Sequence, residues 1–163
     1  LQARGIESHV KFLLVGAIDG AYLERLKKMI VEFNFSCVTL IEETSEIYDY
    51  FFLSDMFVCA SYEESFPMVI LLAMAFELPI VSTDVFGIPE MLTDNHDAIL
   101  IKPGDPSAMA NAILLLLEDK EKADLFAARA FAKVQRLFDN KAQNQGHIDL
   151  MKKVALEDAV SDC

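Results

Sequence analysis

Residues 56–90, MFVCASYEESFPMVILLAMAFELPIVSTDVFGIPE, decide the fold. Met56-Phe-Val-Cys-Ala60 and Pro79-Ile-Val-Ser82 are continuous apolar runs of strand length. Between them come a polar loop with the adjacent carboxylates Glu63 and Glu64 and the run from Met68 to Phe76, apolar on every side. A helix of that composition belongs in the interior of a layered domain, and it is too short to span a bilayer. Two strands apolar on both faces with a helix between them make a parallel β-α-β unit with a right-handed crossover.

The same alternation extends outward. Upstream, Val10 to Val15 is a strand ending at Gly16, and Gly20 precedes an amphipathic helix marked by Tyr22, Leu23, Leu26, Met29, Ile30 and Phe33. Val38 to Ile41 is a second strand, followed by a helical face of Ile47, Tyr48, Phe51 and Phe52. Downstream, a turn around Gly87 leads to a strand at Ala98-Ile-Leu-Ile101. After Pro103-Gly104-Asp105-Pro106 the pattern is helical over 108–117, 123–138 (capped by Asp119 or an adjacent polar residue) and 142–156, with 154–163 expected to fray. The class is therefore α/β, a doubly wound parallel sheet with a helical C-terminal segment, read as one domain over 1–163. Ligands of such sheets bind beyond the carboxyl ends of the strands, where Gly16, Ser61 and Thr83 fall.

The helix that opens near Pro67 has Ser65 as a candidate cap, and proline is tolerated in a first turn because its missing N–H has no helical partner there. The remaining N–H groups of that turn face the loop of Glu63 and Glu64, a position that suits a phosphate. A core helix that happens to follow an acidic loop would have the same sequence.

Composition narrows the class. A net charge of −12 argues against nucleic acid and anionic membrane surfaces. Cys37, Cys59 and Cys163 are odd in number and lie in no metal-type pair; Cys37 and Cys59 sit in apolar strand-like runs and read as buried thiols in a reducing compartment. His9, His96 and His147 lack metal-ligand spacing, Ser65 has no recognisable histidine base, and the sequence has no Walker A, G-x-G-x-x-G or G-x-S-x-G motif. Response-regulator domains need acidic residues directly after the first strand, where this sequence has Gly16-Ala17-Ile18. A cytoplasmic location is expected, any membrane attachment residing in another part of the protein. Leu1-Gln2-Ala3-Arg4 reads as the tail of a helix from a longer polypeptide.

The ordered set Ala60-Ser61-x-x-Glu64-Ser65-Phe66-Pro67, Leu72-Ala73-Met74-Ala75, Pro79-Ile80-Val81-Ser82-Thr83 and Gly87-Ile88-Pro89-Glu90 resembles the donor-binding half of family 4 retaining glycosyltransferases, two-domain GT-B enzymes. The resemblance runs from Phe12 to about Asp119. It implies a hexose moved from a nucleoside-diphosphate sugar to a sugar or lipid-type acceptor, with no obligatory metal or other cofactor. It implies Glu64 as the catalytic-site glutamate beside the donor sugar. Ser61, Ser65, Phe66, Pro67, Met68 and Val69 are implied around the sugar and distal phosphate, Gly16 at the diphosphate, and Glu90 near the glycine turn. The implied partners are the donor and an N-terminal acceptor-binding domain of the same full-length protein.

The sequence also departs from that pattern. Leu72 stands where the family has the second glutamate, which holds the ribose hydroxyls. Glu77 replaces a helix-end glycine and Phe86 the first glycine of a pair. The strand-helix unit that opens the family's domain, with an Arg and a Lys for the diphosphate, is outside this sequence, so the 163 residues alone are expected to be inactive. An alternative reading keeps the fold and drops the donor, leaving an interaction or regulatory module; Leu72, Glu77 and Phe86 favour it. An unrelated nucleotide-binding α/β domain is a third.

Overall fold

In the computed structural model, which describes residues 9–137, strands and helices alternate. The order is β1 (Phe12–Ala17), α1 (Ala21–Glu32), β2 (Val38–Glu42), α2 (Ile47–Leu53), β3 (Phe57–Cys59), α3 (Met68–Ala75), β4 (Ile80–Thr83), α4 (Ile88–Met91), β5 (Ile99–Ile101), α5 (Pro106–Glu118) and α6 (Lys120–Leu137). Every strand pairing is parallel, as apolar strands separated by helices require. The residues form two compact units that divide between Leu53 and Ser54. Residues 1–4, the helix expected over 142–156, the terminus over 154–163, His147 and Cys163 lie outside the described residues.

The first unit holds the two-stranded sheet β1-β2, with Phe12 opposite Val38 and Val15 opposite Ile41. The sequence places the end of this strand at Gly16, but the strand continues to Ala17 through a register shift. Gly16 sits there at φ +89°, a backbone shape that favours a residue without a Cβ. Leu23 of α1 and Phe51 of α2 are buried. Burial on both faces, expected of every strand, is not met by β1, where Leu13 and Leu14 are exposed. Helix α1 ends in a Schellman motif, with Asn34 N–H donating to the Val31 carbonyl, Phe35 N–H to that of Ile30, and Asn34 left-handed at φ +52°.

The second unit is built on β3-β4-β5, with β4 in the centre and all four of its residues buried. Helix α5 packs on β4 and β5, and α6 packs on α3. Ile70, Ala73 and Met74 form the buried face of α3, spaced three and four apart as a helix demands. The expectation of a wholly interior helix is corrected at its first turn, where Met68 and Val69 are exposed. The Ser65 cap is corrected too: Pro67 is the N-cap residue, with extended backbone, and no side chain caps the helix. Helix α3 ends as α1 does, with Glu77 N–H to the Met74 carbonyl and Leu78 N–H to that of Ala73, and with Glu77 left-handed at φ +55°.

The last helices are fixed by aspartates. Asp105 Oδ1 accepts from Ala108 N–H at 2.8 Å with Pro106 behind it, so α5 starts two residues earlier than its apolar periodicity suggests. Asp119 Oδ1 accepts from Lys122 N–H at 3.0 Å and caps α6, as the sequence predicts. From α6, Lys133 Nζ reaches Asp97 Oδ2 at 3.0 Å and Thr93 Oγ1 at 3.0 Å. The Asp97 side chain is 2% exposed and also accepts from the Thr93 N–H. A carboxylate so buried requires those partners.

Candidate functional site

Two loops leave the carboxyl ends of neighbouring strands in the second unit: residues 60–67 after β3 and 84–87 after β4. Between them lies a cleft of about 580 Å³ lined by Glu63, Glu64, Ser65, Phe86, Gly87 and Glu90. It stands where open parallel sheets bind ligands.

Each loop is held to its strand and to the other loop. Thr83 Oγ1 donates to the Ser61 carbonyl at 2.7 Å, tying the end of β4 to the second residue after β3. Ser61 Oγ donates to Glu64 Oε1 at 3.0 Å, and the buried Cys59 Sγ lies 3.5 Å from the same Ser61 oxygen. The Glu64 carboxylate is half-buried and aimed by that serine, and its main-chain carbonyl accepts from Gly87 N–H at 3.3 Å. Gly87 has ordinary helical backbone angles, so conformation does not demand glycine there. Close approach does, because a Cβ at Gly87 would collide with the Ser65 carbonyl oxygen.

Of the residues singled out from the sequence, Glu64, Ser65 and Glu90 line the cleft, and Ser61 stands directly behind Glu64. Phe66, Pro67, Met68 and Val69 follow the loop into α3, with Pro67 buried and Phe66 exposed. Leu72 lies a turn further along α3 and is half-buried. Gly16 belongs to the first unit. Thr83, read only as a strand end, is the clasp between the strands. Phe86 and Gly87 complete the cleft; the signal for both was the glycine-pair position. Tyr62 crosses to the loop after β5, where its ring would be about 3.5 Å from a Cβ on Gly104.

Glutamates 63, 64 and 90 give the cleft three carboxylates, and none of the described residues that line it is Lys or Arg. Carboxylates without a facing cation are acceptors for hydroxyl groups. Among the described residues no group of three metal-ligating side chains stands ready to hold an ion. His96 is a surface residue, its Nδ1 3.6 Å from Asp97 Oδ2. No helix among the described residues is long and apolar enough to cross a membrane.

The family model for glycosyl transferases group 1 matches residues 1–119. This chain belongs to that family. N-acetyl-alpha-D-glucosaminyl L-malate synthase of Bacillus anthracis is 31% identical over 136 residues, covering 81% of this chain and 34% of the synthase. A Campylobacter jejuni enzyme, N,N'-diacetylbacillosaminyl-diphospho-undecaprenol alpha-1,3-N-acetylgalactosaminyltransferase, is 30% identical over 91% of this chain and 39% of its own length. Anabaena HepE, solved in complex with UDP, superposes with a TM-score of 0.82 and 27% identity over 88% of this chain and 41% of that one; it has also been solved with UDP-glucose. The chain thus spans well under half the length of these relatives. Its fold is the Rossmann-like α/β half of a GT-B glycosyltransferase.

Proposed function

We propose that the 163 residues form one donor-binding domain of a retaining hexosyltransferase that uses a nucleoside-diphosphate sugar. Support comes first from the cleft at the ends of β3 and β4, where Ser61 and Gly87 hold Glu64 from both sides beside Glu90. Family membership and the UDP and UDP-glucose complexes of HepE agree with this reading. In it, Glu64 takes a hydroxyl of the donor sugar. The N–H groups of Phe66, Met68 and Val69 open toward the distal phosphate. Ser65 and Glu90 flank the sugar, and Leu72 meets the ribose. The leaving diphosphate is stabilised electrostatically without an obligatory metal. An N-terminal domain of the same protein would present a sugar or lipid-type acceptor and exclude water, in the cytoplasm or at its membrane face.

Titration calorimetry with UDP and GDP tests the reading. Leu72→Glu restores a charged hydrogen bond to the ribose and is expected to tighten the diphosphate about tenfold or more. Glu64→Ala is expected to weaken the nucleotide sugar more than the nucleotide. If neither change alters binding, the site is elsewhere. The chain alone is expected to transfer no sugar, and detectable transfer would refute that.

A second reading, an interaction module that keeps the fold, is favoured by Leu72, which presents no polar group where the family has a ribose-binding carboxylate. Failure of any nucleotide or nucleotide sugar to bind would select it.

A further inference from the structure

Phe86 is the anomalous residue of the cleft. Its φ of +44° lies in the left-handed region, where a bulky side chain is strained and glycine is not. Its neighbours Val85 and Gly87 are buried, Asp84 N–H is bonded to the Ile101 carbonyl at 2.7 Å, and Ile88 N–H to that of Val85 at 3.0 Å. The backbone is therefore held on both sides of Phe86, and the residue is 72% exposed. Strain held in place by its surroundings, beside a cleft, is the observation that asks for a use.

The surroundings indicate the use. One edge of the cleft is aromatic, and the rest presents three carboxylates and a serine, with no basic side chain among the described residues that line it. A pyranose ring has the matching chemistry: one face of C–H bonds and a rim of hydroxyl donors. C–H bonds lie favourably on the electron-rich face of an aromatic ring and lose apolar surface to water there. A sugar bearing its own carboxylate or sulfonate would meet like charge on three sides.

We propose that Phe86 is a specificity-determining platform on which the donor's hexose stacks, and that the cleft takes neutral hexoses and rejects acidic ones. This rests on the donor-binding reading of the same cleft and goes beyond it, because the pattern the chain resembles has a glycine, with no ring, at this position.

The test is calorimetric titration of the unaltered chain, Phe86→Gly and Phe86→Tyr with UDP, GDP, UDP-glucose, GDP-glucose and UDP-glucuronate, together with the melting temperature of each protein. In Phe86→Gly the affinity for the glucosyl ester is expected to fall about three- to tenfold relative to its parent diphosphate. In Phe86→Tyr it is expected to be kept. The Phe86→Gly protein is expected to melt higher, since glycine relieves the left-handed strain; a residue with a merely structural role would not couple greater stability to weaker sugar binding. UDP-glucuronate is expected to bind about tenfold or more weakly than UDP-glucose in the unaltered chain. An unchanged ratio of glucosyl ester to diphosphate in Phe86→Gly would overturn the platform and leave donor binding standing. Equal affinity for UDP-glucose and UDP-glucuronate would overturn the charge selection. Binding of none of the five ligands would overturn the donor-binding reading and this inference with it.

Discussion

β1 of the first unit reads FLLVGA and β4 of the second reads IVST, yet Leu13 and Leu14 stay 38% and 41% exposed while every residue of β4 is buried. The more apolar strand is the less buried one. What separates them is pairing: β4 is bonded to a strand on each side and packed by α5, whereas among the described residues β1 is bonded to β2 alone. Ion pairs sort by burial in the same sense, and the second unit holds an exposed one too, Lys120–Asp124 at 3.1 Å. The Glu24–Lys27 pair of the first unit, 2.8 Å apart, lies in solvent, while the Asp97–Lys133 pair of the second, at 3.0 Å, lies under α6. Burial, more than residue type, decides what each interaction contributes.

The largest expected effect comes from removing one partner of the buried pair. Asp97→Ala strands an ammonium that is only 16% exposed, and it is expected to cost about 3–5 kcal/mol in urea unfolding of the second unit. Lys27→Ala is expected to move the midpoint only slightly, because water and salt screen that pair. The Lys27 hydrogen bond, then its charge, holds the Glu24 carboxyl below its ordinary range. That small contribution is present at neutral pH, lost as pH falls through the folded value, and absent in Lys27→Ala; carboxyl chemical shifts would follow it. Equal losses from the two substitutions would break the contrast between the buried pair and the exposed one.

Next in size is the strand comparison. Ile80→Ala in β4 is expected to cost about 2–5 kcal/mol by leaving a cavity. Leu14→Ala in β1 is expected to cost less than about 1 kcal/mol, because much of that side chain is already in water. Amide hydrogen exchange would assign each loss to its unit.

The smallest effect sharpens the likeness between the units. Helices α1 and α3 end in the same Schellman motif, but Asn34 occupies the left-handed position of one and Glu77 that of the other. Asparagine visits that region readily and glutamate does not. Glu77→Gly is expected to raise stability by about 1 kcal/mol, seen as a higher melting temperature, and Asn34→Gly to change little.

The sequence shows why some of this was legible beforehand. The five strands among the described residues and their parallel pairing follow from apolar runs broken by helical periodicity, and the Asp119 cap follows from its place between two helical patterns. Glu77 is marked in the sequence because a helix-end glycine is usual there, and Phe86 because it replaces the first glycine of a pair; the left-handed backbone of Phe86 is a finding of the structure. The Asp97–Lys133 pair was not legible, since 36 residues separate partners that meet only when α6 folds over the turn after α4. Nor was the Pro67 cap, because a proline fits the N-cap and the first turn equally well in sequence. The difference between β1 and β4 was hidden because apolarity records what a strand can bury and not which neighbours it will have.

The missing Cβ at Gly87 has a consequence for how substitutions combine. With the Ser65 carbonyl seated against that α-carbon and the Glu64 carbonyl bonded to its N–H, the two loops share one backbone interface and shift together. Free energies of paired changes across it, such as Ser65 with Phe86, will not add, although the two residues lie 21 positions apart. A change in either loop is therefore inherited by the other, and the pair behaves as a single heritable part.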